Sequence, residues 1–104
     1  MITYNIQRVD NKIRKVVGKG HALFGQYGQD IVCAAVSTAF IMTANAIEFL
    51  GFKKLIETTM EEGYFELNVL HTNETIEGLL KNLEYTLNEL TTQYQSHIKN
   101  QKEG

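Results

Sequence analysis

Residues 31–50 constrain the fold more than any other stretch of this chain. They read Ile-Val-Cys-Ala-Ala-Val-Ser-Thr-Ala-Phe-Ile-Met-Thr-Ala-Asn-Ala-Ile-Glu-Phe-Leu, a long helix whose apolar residues cover more than one face. Such a helix needs cover on more than one side. In a chain of 104 residues, enough for one domain and not two, the second cover is expected to be another subunit. Ser37, Thr38, Thr43, Asn45 and Glu48 interrupt the run, which fits a buried helix better than a membrane span. Gly51 is the expected C-terminal stop and Asp30 the expected N-cap, so Cys33 falls at the third helical position.

The remaining segments supply something for that helix to pack on. Ile2, Tyr4 and Ile6 alternate with Thr3, Asn5 and Gln7, the period of a half-buried strand. Asp10-Asn11-Lys12 provides a tight turn into a second strand over residues 13–20, giving a hairpin. Gly18 and Gly20 in that strand predict either a close backbone neighbour or a bend. Residues 52–60 read as a third strand, Glu61-Glu62-Gly63 as its turn, and residues 64–70 as a fourth. Ile76, Leu80, Leu83, Leu87, Leu90 and Tyr94 then form one apolar stripe of a second helix entered through His71-Thr72-Asn73. Residues 96–104 are polar and fit either a short edge strand over 97–101 or a frayed tail. The expected architecture is a single α+β domain over residues 1–104. It is a β-β-α-β-β-α two-layer sandwich with a mostly antiparallel four-stranded sheet and two helices on one face.

Charge and cysteine content narrow the setting. A formal net charge of −2 with no basic stripe argues against direct nucleic-acid binding. One cysteine makes no internal disulfide, and residues 1–10 show no secretory-signal pattern, so a reducing cytoplasm is expected.

Chemistry concentrates between residues 20 and 37. The first turn of a helix, with its unpaired N–H groups and positive dipole end, favours a thiolate at Cys33. His21 precedes a loop containing Gly25 and Gly28, and from the mouth of that loop it is a candidate to take the thiol proton if the loop folds back. Against this stands the ordinary role of a lone cysteine as a small core hydrophobe, and of a lone histidine as a structural residue. Asp30 as a cap opposes a second negative charge nearby and occupies a helix N–H, leaving loop amides around Gly25 and Gly28 as oxyanion donors. Ser37, one turn beyond Cys33, either bonds back to the Cys33 carbonyl or supports the sulfur. Phe24 and Tyr27 either grip an apolar substrate segment or pack in the core. His71 and His97 read as surface or turn residues. No paired ligand spacing supports a metal site, and neither metal nor cofactor is expected. Three functions fit these residues: a thiol hydrolase, a non-catalytic dimeric binding module with a packing cysteine, and a thiol-dependent transferase or redox protein.

The ordered motif Gly20-His21-Ala22, a glycine-containing loop, then Gly28-x-Asp30-Ile31-Val32-Cys33-Ala34-Ala35-Val36-Ser37 resembles the ribosomal-processing cysteine protease family (Prp) of Firmicutes and related bacteria. The resemblance extends over the whole domain in length and element order, with its specificity in residues 20–37. It implies an endopeptidase that removes the short N-terminal extension of a large-subunit ribosomal protein precursor, cutting after an aromatic residue. It implies Cys33 as nucleophile and His21 as base, Asp30 and Ser37 as supporting residues, and Phe24, Gly25, Tyr27 and Gly28 as the substrate loop. It also implies a homodimer, which accounts for the doubly apolar helix. No membrane partner follows from it.

Overall fold

The computed structural model describes residues 1–20 and 31–101. The chain runs β1 (Ile2–Val9), β2 (Lys12–Gly20), α1 (Ile31–Ile47), β3 (Ile56–Glu61), β4 (Tyr64–Val69), α2 (Glu74–Gln93) and β5 (Ile98–Asn100). The sheet has five strands in the order β3-β4-β2-β1-β5, antiparallel throughout except for the parallel β1/β5 pair. The two-layer α+β expectation therefore holds, with one correction: the sheet is five-stranded, not four-stranded. The fifth strand forms because Ile98 is buried opposite Ile2, in a segment otherwise polar enough to read as a tail. Its ends are tied by Ile2 N–H donating to the His97 carbonyl at 2.8 Å and Gln101 N–H to the Tyr4 carbonyl at 2.7 Å.

The β1/β2 hairpin closes through Asp10 and Asn11, both left-handed at φ 52° and 64°, the conformation that suits a two-residue hairpin turn. A bulge then places Arg14 as an extra residue, since Gln7 faces Lys15 and Arg8 faces Ile13. Ile13 and Val16 are three positions apart, a spacing that would put them on opposite faces of a regular strand. The bulge lets both point into the core, where each is fully buried.

Both helices lie on this inner face. α2 begins at Asn73, whose Oδ1 accepts the Ile76 N–H at 2.8 Å, and it buries Ile76, Leu80, Leu83 and Leu87. It is fixed to β1 by polar contacts at two levels. The Tyr4 hydroxyl donates to Asn88 Oδ1 at 2.7 Å, and Arg8 pairs with Glu84 at 2.5 Å. α1 packs through Val32, Cys33, Val36, Phe40, Ala44 and Ile47. Beyond it the backbone departs from the sequence reading. Gly51 does end the helix, at φ 97°, but Lys53–Leu55 form a further short turn, so β3 starts at Ile56 and not at residue 52. Phe52 and Leu55 are thereby spent packing against the core from the connection and not from a strand.

The seam between α1 and the sheet is closely packed. Phe40 stacks on Phe65 with ring centroids 4.4 Å apart and planes 3° from parallel. Its edge occupies the space above Gly18, the β2 residue paired with Phe65. A Cβ at Gly18 would lie 2.3 Å from Phe40 Cε2. Gly18 thus makes room for a side chain, not for a neighbouring backbone. Gly18→Ala is expected to destabilise the fold by about 1–3 kcal/mol through overpacking. Urea unfolding checks this, with the midpoint falling at unchanged slope.

Candidate active site

The direction of α1 follows from its two connections. At its C-terminal end the chain passes through Leu55 to Ile56, which pairs with Val69, next to the Asn68 that faces Lys15. Mid-helix, Phe40 sits over Gly18. α1 therefore runs opposite to β2, and its N-terminal turn lies beyond Gly18, at the Gly20 end of the sheet. Cys33 is two turns before Phe40 on the same face, about 10 Å along the axis. Gly20 is two residues beyond Gly18, about 7 Å along the strand. The only cysteine and the residue that precedes His21 thus converge on one end of the domain.

Two contacts hold that end. Gly20 N–H donates to the Gly63 carbonyl at 3.1 Å, joining β2 to the β3/β4 turn. Ile2 pairs with Gly20 from the other side. A Cβ on Gly20 would come within 2.8 Å of Ile2 Cα, which is backbone and cannot swing away. Sequence reading treats Gly63 only as a turn residue. That its carbonyl anchors Gly20 depends on a strand pairing, β2 with β4, which no local pattern encodes.

Cys33 is the third residue of α1 and is buried at 4% exposure, facing the sheet. Ser37 follows one turn deeper on α1 and is half-buried. His21, Phe24, Gly25, Tyr27, Gly28 and Asp30 lie outside the described residues. The other two histidines are exposed on separate parts of the surface. His71 follows β4 at the far end, its N–H directed at the Leu55 carbonyl, and His97 borders the edge strand β5. Among the described residues no cluster of three metal-ligating side chains occurs.

The opposite face of the sheet is polar. A cavity of about 360 Å³ opens there among Thr3, Asn5, Lys15, Lys19, Tyr64 and Gln101. Beside it the Tyr64 hydroxyl donates to Glu66, and Asn68 Nδ2 donates to the same carboxylate at 2.5 Å. These bonds, Tyr64 first, hold the Glu66 carboxyl below its ordinary pKa and raise that of the Tyr64 phenol. The sheet separates this network from Cys33.

The family model for cysteine protease Prp matches residues 1–99. A ribosomal processing cysteine protease Prp of Staphylococcus aureus (strain Mu50) is 31% identical over 102 residues, covering 95% of this chain and 96% of the relative. The crystal structure of an essential ribosomal processing protease Prp from S. aureus with a substrate peptide superposes with a TM-score of 0.86 at 28% identity, over 99% of this chain and 100% of that one. A second S. aureus Prp structure, with a covalently linked product peptide, gives 0.83 at 28% identity with the same coverage. Gly20→Ala is expected to cut peptide turnover on the order of ten- to a hundredfold, because it displaces the strand end that delivers residue 21. Steady-state kinetics on the folded fraction, verified by circular dichroism, checks this.

Proposed function

Because the chain belongs to the Prp family of cysteine proteases, we propose that it removes a short N-terminal extension from a large-subunit ribosomal protein precursor, cutting after an aromatic residue. Membership in a protease family displaces both the non-catalytic binding module and the thiol transferase as readings. The observation that carries the assignment of the nucleophile is that Cys33 is the chain's only cysteine and stands in the first described turn of α1. His21 is the general base. It follows directly on Gly20, at the end of the sheet where α1 starts, whereas His71 belongs to the far end.

The reaction is covalent acyl transfer. His21 takes the Cys33 thiol proton, and the sulfur attacks the scissile carbonyl. Backbone N–H groups hold the tetrahedral oxyanion, with amides around Gly25 and Gly28 as donors. Collapse breaks the peptide C–N bond. The imidazolium of His21 returns its proton to the leaving amine, which is the new N-terminus of the mature protein. His21 then takes a proton from water, the hydroxide attacks the thioester, and the extension leaves as a carboxylic acid while the thiol re-forms. Asp30 and Ser37 support the helix start, and Phe24 and Tyr27 grip the apolar extension. Burial of Cys33 supports a site that substrate must open, which keeps the thiol quiet between turnovers.

The working form is a cytoplasmic homodimer that binds neither nucleic acid nor membrane directly. The residues from Ile31 to Leu55 are long and apolar enough to span a bilayer. Val32, Val36, Phe40 and Ile47 are nevertheless buried against the chain's own sheet, which supports the soluble reading. Cys33→Ser and Cys33→Ala are expected to fold as wild type and to lose all cleavage of a precursor carrying the extension. Mass spectrometry of the product checks it, and cleavage by Cys33→Ser at the wild-type rate would refute the nucleophile.

A further inference from the structure

The sheet ends in two unlike edges. β5 is 3 residues long, whereas β3 has 6 and pairs only with β4. The Leu55 carbonyl accepts the Leu70 N–H at 2.8 Å, in register with a ladder that sets Glu57 opposite Asn68 and Thr59 opposite Glu66. Hydrogen bonding alternates along an antiparallel pair, so Glu57, Thr59 and Glu61 direct their backbone groups at β4. Thr58 and Met60 direct theirs outward, along the open edge. Their side chains lie on the helix side of the sheet, because their partners Leu67 and Phe65 are buried there. Both are nevertheless exposed, Met60 at 40%.

Soluble proteins guard such an edge with a proline, a bulge or an inward-pointing charge. β3 has no proline, its register with β4 is unbroken, and Ile56, Thr58 and Met60 on its inner side are uncharged. Its charge lies on the other face, at Glu57 and Glu61, both exposed. Among the described residues neither of these carboxylates makes an ion pair. Two copies of β3 pairing antiparallel about Thr59 would set Glu57 against Glu61 of the second copy, twice, and like charges directly opposite are destabilising. The edge therefore suits an extended peptide with Lys or Arg at alternate positions. A protein that binds RNA neutralises phosphates with those residues, so a ribosomal protein carries such segments. β3 also leads to the site. Its last residue, Glu61, faces Tyr64 across the turn whose Gly63 carbonyl accepts the Gly20 N–H.

We propose that the free edge of β3 docks the precursor segment that follows the scissile bond, as an added antiparallel strand whose cationic side chains face Glu57 and Glu61. This rests on the reading of the chain as a precursor protease with Cys33 as nucleophile. The direction follows from the position of the site. The peptide leaves the Cys33 end at Glu61 and runs toward Glu57, opposite to β3. The outward backbone groups of Thr58 and Met60 bind it, and its neutral side chains lie beside Met60 on the helix side. The edge is about 20 Å long at ~3.3 Å per residue. Substrate is thus selected by a stretch of the mature protein as well as by the extension that is removed.

The test compares two synthetic precursor peptides. Both carry the extension; one ends about three residues after the cut and the other about ten, enough to reach along β3. The long peptide is expected to show a KM about tenfold below that of the short one at similar kcat, and Glu57→Lys with Glu61→Lys to raise the KM of the long peptide alone by about tenfold. Backbone pairing is read by N-methylating the long peptide one residue at a time after the cut. KM is expected to rise at every second position, the period of a strand. Met60→Pro, which removes an outward N–H and leaves the β4 ladder intact, is expected to give the same selective loss. Equal KM for the two peptides, or a methylation scan without the two-residue period, overturns the docking. So does a fall in oligomeric mass in Met60→Pro, which would assign the edge to a second copy. Cleavage of neither peptide by wild type overturns the protease reading and the docking with it. Cleavage of the short peptide by wild type and not by Cys33→Ser keeps that reading whatever the edge does.

Discussion

The stack of Phe40 on Phe65 over Gly18 fixes where α1 sits on the sheet. It joins α1 to β2 and β4 at a single point. With α1 running opposite to β2, that point fixes how far the helix start lies beyond the strand end. Cys33 and Gly20 meet at one edge because both are measured from the same contact. The relation also explains why a glycine, and no larger residue, occupies position 18. A methyl group there would push the helix outward and carry the first turn with it.

The sheet does a second job at that edge. β2 is flanked by β1 and β4, so its last residue is held from both sides, by Ile2 and by the carbonyl of Gly63. The proposed pair of His21 and Cys33, contributed by a strand end and a helix start, would gain its precision from such restraint. The polar face behind the sheet, with its Tyr64–Glu66–Asn68 bonds, is kept apart from this chemistry. α2 serves the scaffold, closing the core over β1 through Tyr4 and Arg8.

Much of this was legible in the sequence. Alternation identified β1, the leucine stripe identified α2, and Asp10-Asn11 and Gly63 identified the turns, because each pattern reflects a local rule of backbone or burial. β5 was legible only as one of two alternatives, since a single buried residue, Ile98, carries it. The start of β3 was misread because Phe52 and Leu55 supply strand-like apolar residues while packing from turns after Gly51. The burial of both Ile13 and Val16 on one face of β2 required a bulge that period alone does not announce. Within the site, the place of Cys33 on a buried helix was legible from the apolar run. The contact of Phe40 with Gly18, and the role of Gly63, depend on long-range pairing and were not.

The central claim is that a strand end and a helix start bring His21 to Cys33 as a working pair. The direct measurement is the rate of iodoacetamide alkylation of the single thiol against pH, in wild type and in His21→Ala. The account predicts a wild-type midpoint below the ~8.5 of an ordinary cysteine and an upward move in His21→Ala, because the thiolate loses its cationic partner. A midpoint that does not move in His21→Ala would mean that the helix terminus alone activates the thiol, and would contradict the pair.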